Sequence, residues 1–319
     1  MNLKGKSVMV SGGAGFIGSH LVDRLIQENP AKIVVVDNYF LGHKENLVPA
    51  YKAWPDLKEH RLDASNLAAM HQVVENEKIE VVFDLAVIPL PTSLKHPVWT
   101  IETNVGIAST FCELARWGCI ETLVHCSSSE AYGTAQYVPM DEKHPQAAIT
   151  PYAASKAAAD QIVISYCQTF RIDAVIMRPF NNFGPRQNPG TYAGIIPIVI
   201  QLIQKNQPIQ IHGDGTQTRD FIFARDTADA FIGIYNCEAA RGQVVNIATG
   251  HETSMNDLVA KILKVMGKKD YPIVHIAPRP GDVMRHCADI SKAQKLFEFT
   301  PAAIKEEHLV ETVEWYLRS

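Results

Sequence analysis

Nothing in this chain points to a disulfide framework, a metal cluster, a membrane span or a nucleic-acid surface. The six cysteines (112, 119, 126, 167, 237 and 287) contain no Cys-x-x-Cys pair and no metal-like spacing to histidine, so reduced thiols and no bound metal are expected. No apolar run reaches the roughly 18 to 20 residues of a membrane span. Met1-Asn-Leu-Lys-Gly-Lys6 leads straight into strand-like sequence rather than a signal-type apolar region, which predicts a cytoplasmic protein without a membrane partner. There is no basic block, and the formal net charge is −4. Nucleic acid is therefore not an expected partner, and any phosphate has to be met by local groups. Internal repeats and low-complexity segments are absent as well.

What is present is core material. With 46% hydrophobic residues in a chain of 319, there is enough for one large α/β unit or for a main domain and a smaller one. Ser7-Val-Met-Val-Ser11 reads as a buried strand, and Gly12-Gly-Ala-Gly-Phe-Ile-Gly18 follows it directly before an amphipathic helix from Ser19 to about Glu28. Glycines at Gly12, Gly15 and Gly18 suit a sharp turn, close approach to a pyrophosphate and close packing of helix on sheet. Phe16 and Ile17 belong to the same candidate cofactor loop. The helix N-terminus then supplies amides and a dipole for the anion. A second strand, Lys32-Ile-Val-Val-Val36, is capped by Asp37-Asn38. An acid there accepts hydrogen bonds from adenosine ribose hydroxyls and repels a 2′-phosphate, which favours NAD over NADP; a turn or cap residue is the alternative for Asp37. The strand and helix rhythm continues through strands near 57–62, 80–86, 122–126 and 173–178, the pattern of a doubly wound parallel (Rossmann) sheet. Pro179-Phe-Asn-Asn-Phe-Gly-Pro-Arg186 breaks that rhythm and marks entry into a second region. Within it, a helical stretch from Ala193 to Gln204 contains Pro197, expected to limit or kink it, and the tail 303–318 reads as an amphipathic helix.

The chemistry-bearing stretch is His125-Cys-Ser-Ser-Ser-Glu-Ala-Tyr-Gly133, read with Pro151-Tyr-Ala-Ala-Ser-Lys156. The first piece ends an apolar strand in small hydroxyl residues, as a strand does when its carboxyl end faces a ligand crevice. The second opens a helix on which Tyr152 and Lys156, four residues apart, share a face, so that the ammonium favours the phenolate. Ser128 at the strand end can share the proton being moved and orient a substrate alcohol, making the set suited to alcohol oxidation. A surface Tyr and Lys is the alternative for a Tyr-x-x-x-Lys match taken alone. Arg219, in His212-Gly-Asp-Gly-Thr-Gln-Thr-Arg-Asp-Phe-Ile-Phe223, reads as an exposed guanidinium suited to a diphosphate, with a surface ion pair as the alternative.

These motifs, in this order and from Gly12 to about Arg285, resemble an extended short-chain dehydrogenase/reductase of the nucleotide-sugar epimerase/dehydratase group. The resemblance implies an α/β enzyme with a Rossmann domain over 1–180 and a mainly substrate-binding lobe over 181–319, some segments of which return to the main domain. It implies that Asp63 and Ala64 contact the adenine, that Leu85 and Ala86 lie under the cofactor, and that Asn104 supports the active-site region. Ser129, Asn181, Arg186, Arg219 and Arg285 are implied on the substrate, Asn181 and both of the last two arginines at its diphosphate, with a surface ion pair as the alternative for Arg285 too. Helices near 98–116 and 152–171 are implied to pair across a two-fold axis into a homodimer. The implied reaction begins with oxidation of a nucleoside-diphosphate hexose at C4, the nucleotide being open among UDP, GDP and dTDP. Tyr152 acts as base, Lys156 supports the phenolate and Ser128 holds the C4 oxygen. Glu130 separates the outcomes: 4-epimerases of the group usually carry a small or hydroxyl residue there, whereas dehydratases and decarboxylases carry the acid. The run from Glu130 to His144 looks most like dehydratases acting on nucleotide-linked N-acetylglucosamine, while Arg279-Pro-Gly-Asp282 followed by Arg285 resembles the epimerases. A 4,6-dehydratase is thus expected, with 4-epimerase and uronate decarboxylase as alternatives. The proline-rich Val87-Ile-Pro-Leu-Pro-Thr-Ser93 departs from the group where sugar and nicotinamide meet. A non-catalytic NAD-sensing protein is the reading from another class, and the intact Tyr–Lys pair opposes it.

Overall fold

A computed structural model describes residues 2–189, 194–278 and 283–318. In chain order, β1 (Ser7–Ser11), α1 (Phe16–Ile26), β2 (Lys32–Val36), α2 (Val48–Ala53), β3 (Lys58–His60), α3 (Leu67–Glu77) and β4 (Val81–Asp84) make the first half of a wound sheet. Then come α4 (Leu90–Ser93), α5 (Pro97–Arg116), β5 (Thr122–Cys126), α6 (Pro151–Phe170), β6 (Ala174–Pro179) and β7 (Asn181–Phe183). The remainder holds α7 (Ile195–Gln204), β8 (Ile209–His212), β9 (Thr218–Phe223), α8 (Ala224–Asn236), β10 (Val244–Ile247), β11 (Glu252–Ser254), α9 (Met255–Val265), β12 (Ile273–Ile276), α10 (Ser291–Phe297) and α11 (Glu306–Arg318).

Seven strands form the main sheet in the order β10-β6-β5-β4-β1-β2-β3, all parallel. This is the doubly wound arrangement that the strand and helix rhythm predicts. Its strands are apolar at successive positions because helices cover both faces. Side chains alternate between them: Val8, Val10, Ile33, Val35, Phe83 and Val124 pack with α1 and α8, whereas Met9, Val34, Val36, Val82 and Leu123 pack with α3, α5 and α6. A third cluster, including Phe183, Ile200, Ile211, Phe223, Leu258 and Val313, lies under the small sheets β11-β9-β7 and β12-β8. The chain past residue 181 does not stay there, since β10 pairs with β6 at the edge of the main sheet.

Two sequence expectations change. The helix expected from Ser19 begins at Phe16, because the glycine turn feeds directly into it. Pro197 neither kinks nor ends α7: the helix starts at Ile195, so proline occupies the first turn, where an amide has no intrahelical acceptor to lose. The expected start at Ala193, and the motif Arg279–Asp282, lie outside the described residues. Among those described, no helix is long and apolar enough to cross a membrane.

Phe83 is fully buried and meets Phe231 edge-on at 6.0 Å, with Tyr235 at 6.1 Å. Phe83→Ala should cost about 3–5 kcal/mol, since the neighbouring rings can fill the gap only in part. Equilibrium urea unfolding checks this as a lowered midpoint with an unchanged slope.

Candidate active site

The sheet order reverses between β1 and β4, and the crevice outside the carboxyl ends of these two strands is where open α/β sheets bind ligands. A cavity of about 600 Å³ opens there, lined by Gly12, Gly15, Phe16, Ile17 and Gly18 on one side. Gly12 has φ +69°, and a Cβ on it would stand 2.8 Å from the Ala86 amide nitrogen. A Cβ on Gly18 would stand 2.1 Å from the Gly12 carbonyl oxygen, so neither position admits a side chain without movement. Gly15 caps α1 and carries no side chain to satisfy the first amides, an arrangement suited to an anion.

Asp37 is buried at the end of β2. Its carboxylate accepts from the Ala14 amide at 3.0 Å and the Tyr39 amide at 2.8 Å. Burial pushes its pKa up, and those two amides act against that rise. Asn38, Asp63, Ala64, Leu85 and Ala86 all line the cavity. The Leu85 and Ala86 amides both donate to Ser11 Oγ at 3.2 Å, and Ser11 donates to Asp84 at 2.7 Å. His125 Nδ1 lies 2.8 Å from the other Asp84 oxygen, a buried structural contact of the kind expected for a lone histidine. Asn104 is not part of the wall. It clamps Ile88, accepting from its amide at 2.7 Å and donating to its carbonyl at 3.0 Å, and it donates to Ser155 on α6 at 2.9 Å. The proline-rich segment is thereby tied to the helix that carries Tyr152.

Ser128, Glu130, Tyr152 and Lys156 meet on the cavity wall. Ser128 caps a short 3-10 helix, Ser129–Tyr132, by accepting from the Glu130 amide at 3.2 Å. Thr150 caps α6 by accepting from the Ala153 amide at 3.1 Å, with Pro151 in its first turn, so Tyr152 projects from a fixed helix start. Lys156 lies four residues on from Tyr152, on the same face of α6. Its Nζ donates to the Cys126 carbonyl at 2.5 Å, while burial pushes the Tyr152 phenol above its usual range; a hydrogen bond with Ser128 opposes that shift, and the Glu130 charge adds to it.

The implied substrate residues divide. Asn181, Arg186 and Arg219 line the cavity, and the buried donors Asn181 Nδ2 and Arg186 Nη1 have no hydrogen-bond partner among the described residues. Arg186 also pairs with Asp23 at 2.7 Å. Arg219, expected to be exposed, is half-buried and donates to the Thr218 and Val283 carbonyls at 2.8 and 2.5 Å. Ser129 and Arg285 are not brought to the wall. Ser129 is buried, with its backbone bonded to the His286 ring. Arg285 is exposed and forms an ion pair with Glu252 at 2.6 Å, since the β9–β11 pairing sets that carboxylate beside it. Gln217, Phe221 and Met255 also line the cavity; the first two lie in the stretch that carries Arg219, just before and on β9, and Met255 opens α9, where no local motif marks it.

Residues 8–248 match the NAD dependent epimerase/dehydratase family. The chain belongs to that family. Among relatives, a UDP-glucose 4-epimerase of Mycolicibacterium smegmatis is 33% identical over 312 residues, covering 97% of each chain. A solved UDP-N-acetylglucosamine 4-epimerase from Methanobrevibacter ruminantium, in complex with UDP-N-acetylmuramic acid, superposes with a TM-score of 0.91 at 33% identity over 99% of both chains. A dTDP-glucose 4,6-dehydratase from Streptomyces venezuelae, solved with NAD bound, gives 0.89 at 27% identity over 98% of this chain and 97% of that one. This member of the family is a nucleotide-sugar enzyme that uses NAD. Its residues fit that cofactor: the glycine cradle has no room for side chains, and Asp37 stands at the end of β2.

Two buried histidines flank the site. His20 Nε2 lies 3.0 Å from the Pro185 carbonyl. Burial lowers His20 and His286 from 6.5 to about 4. Both are neutral when folded, so the unfolded chain binds more protons between these values; the contribution is complete above pH 6.5 and lost as pH falls towards 4. Each accounts for about 3 kcal/mol over that window. Urea midpoints should fall from pH 6.5 to 4, and His286→Gln should flatten the fall.

Proposed function

We propose that this protein is an NAD-dependent nucleotide-sugar 4,6-dehydratase, acting on a nucleoside-diphosphate hexose such as the N-acetylglucosamine derivative. The observation that supports the reading best is that Glu130 shares one cavity wall with Ser128 and Tyr152. The glycine cradle at Gly12, Gly15 and Gly18 and the Asp37 carboxylate would hold NAD, which would supply a hydride acceptor and donor beside the sugar. Tyr152 takes the proton of the C4 hydroxyl, Ser128 orients that oxygen, and Lys156 holds the helix to the strand end and meets the nicotinamide ribose. Once C4 is a ketone, the C5 proton is acidic because the carbanion is an enolate, and Glu130 removes it. Ser129 is buried, and Glu130 also hands its proton to the departing C6 hydroxyl, so that water leaves. Once hydride has been returned to C6, C5 takes a proton from solvent and the proton held by Tyr152 passes to solvent, which leaves a 4-keto-6-deoxy sugar less one water. Asn181, Arg186 and Arg219 hold the diphosphate.

Assembly belongs to the same reading. Val98, Trp99 and Ile101 on α5 and Phe170 at the end of α6 are exposed apolar side chains, and we place a homodimer contact on these two helices. A second reading, 4-epimerase, is favoured by the names of the two relatives that are 33% identical. It needs no acid at residue 130.

Glu130→Gln separates the two. The variant should still oxidise C4, so NADH absorbance appears when the sugar nucleotide is added, while water loss and solvent-deuterium entry at C5 fall about 10²- to 10⁴-fold. Water loss at the parent rate in that variant would remove Glu130 from the mechanism. C4 inversion by the parent protein without deuterium at C5 would establish the epimerase.

A further inference from the structure

Cysteine and histidine spacing along the chain carries no metal signature, yet folding assembles one group of ligating side chains away from the cavity. Among the described residues, one ligand atom from each of His71, Glu75 and Cys119 lies within 4.8 Å of the others. His71 and Glu75 are four residues apart on α3 and so share a face. Cys119 follows α5, where its amide donates to the Leu114 carbonyl at 2.9 Å and Gly118 turns the chain with φ +75°. The His71 ring packs edge-on against Trp117, centroids 5.7 Å apart at 81°, which restricts its orientation. None of the three lines the cavity.

We propose that His71, Glu75 and Cys119 form a mononuclear site for a borderline-soft divalent cation, Zn²⁺ in chemical class. One sulfur, one imidazole nitrogen and one carboxylate oxygen match the donors that zinc takes, and three protein ligands leave a fourth tetrahedral position for water. Ordinary zinc bond lengths of about 2.0 to 2.3 Å place such donors about 3.3 to 3.6 Å apart. Side-chain rotation of roughly an ångström closes the observed group to that size. Cys119, packed at the edge of a core cluster, and His71 are half-buried, whereas Glu75 is exposed, so the carboxylate is the ligand freest to move. The thiol is pushed up by burial and by the neighbouring Glu75 carboxylate; cation binding expels its proton to solvent and leaves a thiolate–metal bond. The bound ion cross-links α3 to the carboxyl end of α5.

The test uses Co²⁺ as a spectroscopic probe on the full-length protein freed of metal. One equivalent should produce a near-ultraviolet thiolate-to-cobalt charge-transfer band together with visible tetrahedral bands. Cys119→Ser should abolish the charge-transfer band. His71→Asn should weaken Co²⁺ binding at least as much as loss of an outer-shell partner does, about 10- to 100-fold. Glu75→Gln, at an exposed position that does not threaten the fold, should weaken it as well. Absence of the band at one equivalent, its survival in Cys119→Ser, or unchanged affinity in Glu75→Gln overturns the site.

Discussion

Two polar anchors on one stripe of α6 hold the reactive groups in place. Tyr152, Lys156 and Asp160 follow one another at four-residue spacing, so they share a face, and that face is turned to the strand ends. Lys156 grips the Cys126 carbonyl at the end of β5. Asp160 pairs with Arg178 of β6 at 2.8 Å, with side chains 0% and 3% exposed. The Arg178 guanidinium stands 4.6 Å from the centre of the Tyr132 ring, and the Tyr132 hydroxyl donates to Asn246 Oδ1 on β10 at 2.7 Å. The helix of Tyr152, the short helix of Glu130 and three strands are therefore joined to one another through an ion pair, a cation–ring contact and hydrogen bonds. Such a buried pair adds little net stability, yet leaving either partner alone costs about 3–5 kcal/mol. Its effect here is positional.

The same burial sets the electrostatics. Tyr152 is desolvated, its neutral form is favoured, and the carboxylate of Glu130 strengthens that preference while Ser128 opposes it. The Lys156 ammonium is bonded to the Cys126 carbonyl at the end of β5. Glu130 sits in a short helix capped by Ser128, whose hydroxyl accepts from the Glu130 amide at 3.2 Å and so ties the backbone of one to the side chain of the other.

The sheet could be read from residues such as Lys32-Ile-Val-Val-Val36 because a strand buried on both faces is apolar throughout, a pattern written locally. The glycine turn and the Tyr152–Lys156 spacing were readable for the same reason, since turn and helix geometry are properties of a few consecutive residues. What could not be read locally depended on distant partners. Arg285 is drawn to Glu252 by strand pairing, Ser129 is turned inward beside His286, and Lys156 finds a carbonyl thirty residues away in sequence. Pro197 was misread because the position of a helix start decides whether a proline breaks it. The His71–Glu75–Cys119 group was invisible for the same reason, its cysteine being joined to the other two only through the packing of α3 and α5.

The fate of the 4-keto sugar carries the central claim, and mass analysis of products from the unmodified protein tests it most directly. The purified enzyme would be incubated with a panel of UDP-, GDP- and dTDP-linked hexoses, N-acetylated and not. At least one substrate should give a product lighter by one water, with NAD regenerated and no net reductant consumed. Products of unchanged mass with C4 inverted across the whole panel, or a product lighter by carbon dioxide from a uronate, would contradict the dehydratase assignment.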